Sequence, residues 1–244
     1  MIYPYDLGKY HRPVTTTSAE AQEWFDRGLA WIYGFDLEMA GRCFNEAIAR
    51  DNDCAMAYWG LACASGIYYN KPWHRMQKDE LVEKLKLTYD LSREAKARDH
   101  SFSAVEKGLI DALVFRYQSP VPIKGNDYTQ WNDDYADAMR HVYQQNSDDL
   151  DIVALFAESM MTRTPWALWD LVSGQPAEGA STLESVDVLE RAINRIDGQE
   201  ESPHPGLLHM YIHVMEMSPL PEKARRACDQ LRTLIPGSVH LCHM

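Results

Sequence analysis

Residues 18–53 read SAEAQEWFDRGLAWIYGFDLEMAGRCFNEAIARDND and predict two packed helices followed by a turn. A serine followed closely by a glutamate opens the stretch, as is typical of a helix start. Gly28 has no side chain, so the second helix can lie close against the first one there. Ala40 and Ala47 would keep the second helix thin where it crosses its neighbours, and the Asp-Asn-Asp run at 51–53 forms the turn.

The spacing of these residues resembles that of a known repeat family. The aromatic Trp24, the small Gly28 and the A-x3-F-x2-A spacing that begins at Ala40 resemble the tetratricopeptide repeat. The resemblance implies a stack of helical hairpins with a period of about 34 residues. Adding that period to Trp24 and Gly28 gives Tyr58 and Ala62, so a second unit starts in register.

The rest of the chain also reads as helical. Residues 205–238 fit the repeat again, with a cysteine in place of the aromatic residue, and two aromatic insertions at 68–74 and 164–179 interrupt the helices. We therefore expect an all-α protein, a right-handed solenoid of helical hairpins without significant sheet. Residues 1–17 would form an N-terminal arm and residues 18–244 a single repeat domain. Amphipathic patterns predict further helices at about 78–98, 101–117, 127–145, 149–162, 181–196, 205–217 and 220–234.

Composition excludes several classes of function. The 24 basic and 36 acidic residues give a formal charge of −12, which argues against a nucleic-acid partner. No run approaches the roughly 18 apolar residues of a membrane span, and no nucleotide-binding fingerprint occurs, so no membrane association or nucleotide cofactor is expected. The five cysteines include no C-x-x-C pair. We expect a cytoplasmic protein with reduced thiols.

The last six residues, VHLCHM at 239–244, do not read as the end of a repeat array. Terminal repeats of a solenoid need a polar outer face, and this run supplies none. The chain's H-P-G…H-x3-H-x2-E…P-G-x-x-H-L-x-H-M pattern also resembles the middle of longer bacterial and fungal tetratricopeptide-like proteins. We therefore expect the natural chain to continue beyond Met244.

Five of the nine histidines fall within the last 41 residues, in two groups. His209, His213 and Glu216 are spaced by four and three positions, so on a helix they share one face. His240 and His243, three positions apart, share a face of the next helix. Two such faces predict a site that holds a metal or a polar ligand.

The resemblance brings these two faces together. In the repeat family, positions 2, 5, 9 and 12 of each first helix commonly face the ligand groove, and His209, His213, Glu216, His240 and His243 all occupy such positions. Helices at a packing distance of roughly 10 Å would allow the five side chains to meet on one ion. Their nitrogen and oxygen atoms suit Zn or Fe, whereas softer sulfur neighbours leave Cu open. Those neighbours are Met210, Met215, Cys242 and Met244.

The alternative is that these histidines bond to backbone carbonyls and neighbouring acids without a metal. Glu158, in an otherwise apolar helix, is a candidate catalytic carboxylate beside Glu216, or else part of a buried ion pair. Several aromatic residues could wall a substrate pocket, or else belong to the ordinary core. They are Phe25, Trp59, Tyr68, Tyr69, Trp73, Trp166 and Trp169.

Three functions remain open from the sequence. The first is a metal-dependent enzyme, hydrolytic or oxidative, that acts on a small molecule. His209 and His213 lack the glutamate that zincin motifs place directly after the first histidine, so a zincin peptidase is not expected. The second is an interaction module that binds a peptide in the groove without metal. The third is a structural repeat segment of a larger protein.

Overall fold

A computed structural model describes residues 3–98, 103–199 and 202–244. These ranges contain eleven α-helices and no β-strand, so the predicted all-α class is confirmed. Residues 1–2 of the predicted arm and residues 101–102 of the predicted fifth helix lie outside the described residues. The helices are α1 (Ala19–Tyr33), α2 (Leu37–Arg50), α3 (Ala55–Ser65), α4 (Lys78–Ala97), α5 (Ala104–Arg116), α6 (Thr129–Gln145), α7 (Leu150–Met161), α8 (Thr182–Gln199), α9 (Pro205–Met215), α10 (Arg225–Leu234) and α11 (Val239–His243).

Polar caps define where several of these helices begin. The Ser18 hydroxyl accepts a hydrogen bond from the Ala21 amide at 3.2 Å, and the Asp36 carboxylate accepts one from the Met39 amide at 3.0 Å. Such side chains satisfy amides that have no partner inside the helix. The sequence therefore sets the boundary between α1 and α2 at a short turn, residues 34–36.

Each helix packs against the next one along the chain, from α1 to α11. The α1–α2–α3 packing centres on the ring of Phe44, which is fully buried. A Cβ atom at Gly28 would lie 2.7 Å from this ring, and one at Gly60 only 2.3 Å from it. Glycine at both positions is thus required for the three helices to pack so closely.

Contacts between distant helices position the site. α9 packs against α1 as well as against its neighbours α8 and α10, and it also contacts α7. The last turn of α1 therefore lies beside the histidine-bearing helix, although about 170 residues separate them in the chain. No helix in the described ranges is both long enough and apolar enough to cross a membrane.

The described part of the N-terminal arm, residues 3–17, has no helix and lies against the helical body. The Tyr3 hydroxyl accepts a hydrogen bond from the Trp31 indole nitrogen at 2.7 Å. The Arg12 guanidinium donates to Asp149 at 2.8 Å and to Asp151 at 2.7 Å. The arm is thus bound to α1 and to the start of α7 by buried and partly buried polar contacts.

Candidate metal centre

Three imidazole rings meet where the end of α1, the middle of α9 and the start of α11 come together. His209 and His213 are buried on α9, and the partly exposed His240 approaches them from α11. One nitrogen from each ring lies within 4.8 Å of the other two. The Nε2 atoms of His209 and His240 are 3.1 Å apart. This group of histidines could hold a metal ion.

The sequence His204-Pro205-Gly206 places α9 against α1. His204 Nδ1 accepts a hydrogen bond from the Leu207 amide at 3.3 Å, and Pro205 occupies the first helical position, where a missing amide hydrogen has no cost. A Cβ atom at Gly206 would lie 2.6 Å from the Tyr33 ring. Only glycine therefore allows α9 to approach the end of α1 so closely.

A second Pro-Gly sequence, at 236–237, places α11. The Gly237 amide donates to the backbone carbonyl of Asp6 at 2.7 Å, and the Ser238 hydroxyl caps the helix by accepting from the Leu241 amide at 3.4 Å. The same hydroxyl lies 2.7 Å from where a Cβ of Gly34 would be. These contacts bring His240 to the end of α1 and so to His209.

Hydrogen bonds fix the proton positions on the two buried histidines. His209 Nδ1 lies 2.6 Å from the carbonyl oxygen of Tyr33, which can only accept, so Nδ1 carries the proton. His213 Nδ1 donates to Glu216 Oε1 at 2.7 Å. In the neutral form each ring then presents a proton-free Nε2, which is the arrangement found in metal-binding histidines whose other nitrogen is held by a carbonyl or a carboxylate.

One of these nitrogens has no partner in the described part of the protein. His213 Nε2 is buried and makes no hydrogen bond. An unsatisfied buried polar atom costs about 1–3 kcal/mol, a cost that a bound water or ion would remove. A ligand at the centre of the three rings would satisfy it.

The environment favours the neutral forms of His209 and His240. Burial lowers the pKa of His209 well below its usual value, and the neighbouring His213 and His240 lower it further. Burial and the nearby His213 and His243 also lower the pKa of His240. Because a metal binds only the neutral form of imidazole, these shifts favour metal binding at neutral pH.

The shift at His209 predicts how the stability of the metal-free protein depends on pH. Above about pH 6.5, histidine is neutral in both the folded and the unfolded chain. As the pH falls below that value, the unfolded chain binds a proton that buried His209 does not bind, so the free energy of unfolding decreases. We expect this group to contribute a slope of up to about 1.4 kcal/mol per pH unit.

Denaturant unfolding in the presence of a chelator between pH 7.5 and 5 measures this slope. His209→Asn is the matched variant, since its amide can still donate to the Tyr33 carbonyl but does not titrate. The variant should lose stability less steeply than the wild-type protein. Equal slopes for the two proteins would contradict a depressed pKa at His209.

Aromatic rings surround the three histidines. The ring centroid of Phe35 lies 4.4 Å from that of His209, and Phe35 stacks on His213 and His240 at 5.4 and 5.7 Å. Tyr69 packs against His213 with centroids 5.1 Å apart. These rings exclude water from one side of the site, which strengthens electrostatic interactions inside it.

Two residues near His213 have an unusual backbone conformation. In the described ranges, the non-glycine residues with positive φ are Phe35, at 54°, and Trp166, at 63°. Phe35 stacks on His213, whereas Trp166 stacks on Tyr69 at 5.4 Å and meets His213 edge-on at 6.3 Å. Bulky residues rarely adopt this region, and such strained positions tend to cluster at functional sites.

An open cleft leads to the histidines from the protein surface. Its volume is about 1060 Å³, and His240 forms part of its wall, whereas His209 and His213 are buried and do not line it. The polar Asn70 and Lys71, from the first aromatic insertion, face the same space. A small molecule in this cleft would reach the site past His240.

The structure places the other two predicted ligands differently from the three that meet. His243 is exposed, lines the cleft and lies outside the group of converging nitrogens. Glu216 also lies outside that group, because its carboxylate is bound to His213 Nδ1. In this arrangement Glu216 orients the His213 ring.

Glu158, the second predicted catalytic carboxylate, lies in a buried ion pair. Its two oxygens accept hydrogen bonds from Arg116 at 3.0 and 2.9 Å, and Oε1 also accepts one from the Thr162 hydroxyl at 2.8 Å. These three bonds engage both carboxylate oxygens, and the pair with Arg116 is the core ion pair that the sequence left open as an alternative.

The predicted pocket aromatics divide between core and site. Phe25 and Trp59 are fully buried in the core, and Trp73 packs against Tyr128 and Trp131 away from the three histidines. Trp169 donates its indole hydrogen to the Val214 carbonyl at 2.6 Å, which ties the second insertion to α9. Tyr68 packs on Phe35 and lines the cleft, and Trp166 packs on Tyr69 and His213.

Sequence reasoning missed Tyr33 and Phe35, which contact the histidines directly. Tyr69, one of the aromatics predicted to wall the pocket, packs against His213. Tyr33 acts through its backbone carbonyl, and no sequence signal marks a carbonyl.

Comparisons of the chain with protein-family models, with curated proteins and with solved structures gave no match. The geometry of the site therefore has to carry any proposal about function.

Proposed function

We propose that this protein is a metal-dependent enzyme that acts on a small molecule, with His209, His213 and His240 as the metal ligands. The observation that carries the proposal is the buried, unpartnered Nε2 of His213. It lies among two other imidazoles in a pocket where nothing else in the described residues satisfies it. A bound metal would supply the missing partner.

The donor set fits a catalytic ion better than a structural one. Structural zinc sites use four protein ligands, whereas catalytic sites use three and leave a position open for water or substrate. Imidazole nitrogens suit Zn, Fe and Cu. Cys242, considered from the sequence as a softer ligand, is exposed, with its sulfur near backbone carbonyls of Arg232 and Pro236. We therefore favour Zn or Fe.

The chain's own residues would prepare the site for hydrolytic or oxidative chemistry. The Tyr33 carbonyl and Glu216 hold the two buried imidazoles in the tautomer that binds metal. Phe35 and Tyr69 shield the site from bulk water, and the cleft beside His240 admits the substrate. A metal held there would act as a Lewis acid and lower the pKa of a bound water.

The scaffold in this proposal is a right-handed solenoid of tetratricopeptide-like helical hairpins. Its support is the packing of each helix on the next and the close contacts of Gly28 and Gly60 with Phe44. In such a stack the site lies between the first helices of two successive units, α9 and α11. The spacing of 31 residues between His209 and His240 is close to one repeat.

Metal analysis of protein purified without a histidine tag tests the proposal. We expect one Zn or Fe per chain. After exchange for Co²⁺, we expect a visible absorption spectrum that changes when azide occupies the open position. Absence of stoichiometric metal, or a Co²⁺ spectrum unaffected by azide, would count against an enzyme of this kind. A metal-free protein that recovers a stoichiometric peptide partner would instead support the interaction module.

A further inference from the structure

A buried carboxylate behind the site joins three parts of the chain. Asp151, at the start of α7, accepts hydrogen bonds from the hydroxyls of Tyr10 and Tyr33. It also accepts from Arg12 Nη1 at 2.7 Å and from His204 Nε2 at 3.0 Å. These donors come from the N-terminal arm, from the last turn of α1 and from the residue that precedes α9.

Two of these donors lead directly to the metal ligands. Tyr33 provides the carbonyl oxygen that accepts the Nδ1 hydrogen of His209 at 2.6 Å. His204 caps the helix that carries both His209 and His213. Asp151 binds both Tyr33 and His204. It therefore fixes the Tyr33 carbonyl relative to α9, the helix that carries His209.

Tyr33 and His204 are in close contact, so a small movement of one would displace the other. The Tyr33 and His204 rings pack with centroids 5.2 Å apart, and the Tyr33 ring fills the space left by Gly206. A shift of the Tyr33 ring would therefore move its own carbonyl away from His209 or push α9 outward.

The chemistry at Asp151 requires an ionised carboxylate. Burial opposes ionisation, but His204, Arg12 and the Tyr10 hydroxyl together hold the pKa of Asp151 well below its usual range. An ionised carboxylate offers only acceptors and can receive all four donors. An asparagine amide would direct two hydrogens of its own toward them.

We infer that Asp151 is a positioning residue of the metal centre, which acts through Tyr33 and His204 to hold His209 in the metal-binding tautomer. This inference rests on the proposed metal site, although its effect on the His209 ring exists without metal. Asp151 touches neither the three ligand nitrogens nor the cleft beside His240.

The test compares Asp151→Asn and Tyr33→Phe with Asp149→Asn. The last variant changes a carboxylate two residues away that binds the same Arg12, and asparagine preserves its helix-capping role. Two quantities are measured for each protein. One is the Zn²⁺ dissociation constant, by competition with a chromophoric chelator, and the other is the proton position on His209, by nitrogen-15 NMR of the metal-free histidine rings.

We expect the Zn²⁺ dissociation constant of Asp151→Asn to rise by about 10- to 100-fold, the range typical of residues that orient a metal ligand. The signal of the Nδ1-protonated His209 should weaken in Asp151→Asn and in Tyr33→Phe, and remain in Asp149→Asn. A purely structural role for Asp151 would lower stability without changing this signal in folded protein.

The two measurements separate the inference from the proposed function. An unchanged His209 signal in both Asp151→Asn and Tyr33→Phe would overturn the inference, whether or not the wild-type protein binds metal. If Asp151→Asn does not fold, Tyr33→Phe decides, because it removes one hydroxyl and keeps the ring. Wild-type protein that binds no Zn²⁺ would refute the metal site, while a weakened His209 signal would still support the positioning role.

Discussion

His213→Gln is expected to lower the affinity for Zn²⁺ by more than about 100-fold, beyond the range typical of residues that only orient a ligand. The variant removes the buried Nε2 that has no other partner and also the ring that Glu216 holds. Two histidines remain, too few for the three-ligand arrangement of a catalytic zinc site. Chelator competition on untagged protein measures the effect.

His243→Gln is the matched control for this prediction. His243 is exposed and belongs to the same sequence cluster, but its nitrogens do not converge with the other three. Its replacement should leave the Zn²⁺ affinity within about threefold of the wild-type value, since no metal ligand is lost. Equal losses in the two variants would mean that the ion sits nearer the mouth of the cleft than the structure indicates.

Glu158→Gln is expected to lower the free energy of unfolding by about 3–5 kcal/mol, because it leaves the Arg116 guanidinium buried without a counter-charge. Arg116 lies in the core with its two terminal nitrogens on Glu158, and one of them also donates to the Ile67 carbonyl at 3.1 Å. Burial is what makes the loss large. Denaturant unfolding measures it, and the Zn²⁺ affinity of the folded variant should be unchanged.

Two further variants show whether burial is the cause. Glu38→Gln breaks an exposed pair with Arg42 one helical turn away, and it should cost less than about 0.5 kcal/mol. Replacing both Arg116 and Glu158 by methionine should recover most of the stability lost in Glu158→Gln, because an apolar pair carries no desolvation cost. A large loss of metal binding in folded Glu158→Gln would instead restore a role for this carboxylate at the site.

Local spacing was enough to predict part of the site. The four-residue interval between His209 and His213 fixes them on one face of a helix, whatever surrounds that helix. The capping residues and the Pro-Gly sequences also act over a few positions, so the helix boundaries near the site could be read directly. His240 was expected beside them only through the resemblance to a 34-residue repeat, and that repeat stays a prediction.

The partners of these histidines could not be predicted in the same way. The Tyr33 carbonyl lies 176 positions from His209 in the chain, and its contact depends on how α1 packs against α9. Nothing in the sequence marks Phe35 for a positive φ, because bulky residues usually avoid that backbone region. Glu216 was assigned correctly to the face of His213, but three-residue spacing does not tell a metal ligand from a hydrogen-bond acceptor.

Aromatic residues were the least informative signal. Phe25 and Trp59 occupy the core, while Tyr69 and Trp166 contact His213. Both roles favour the same large rings. The two pairs differ in the elements that carry them. Phe25 and Trp59 lie on helices, whereas Tyr69 and Trp166 lie in the two insertions, whose loops bring their rings to the site.

The turn between α1 and α2 carries a separate task at each of four consecutive positions. Tyr33 supplies a carbonyl, Gly34 leaves room for Ser238, Phe35 packs its ring on the histidines, and Asp36 caps α2. Surface turns usually tolerate insertions and deletions. Here a single added or lost residue would displace all four groups at once, so homologues that keep the three histidines should also keep the length of this turn.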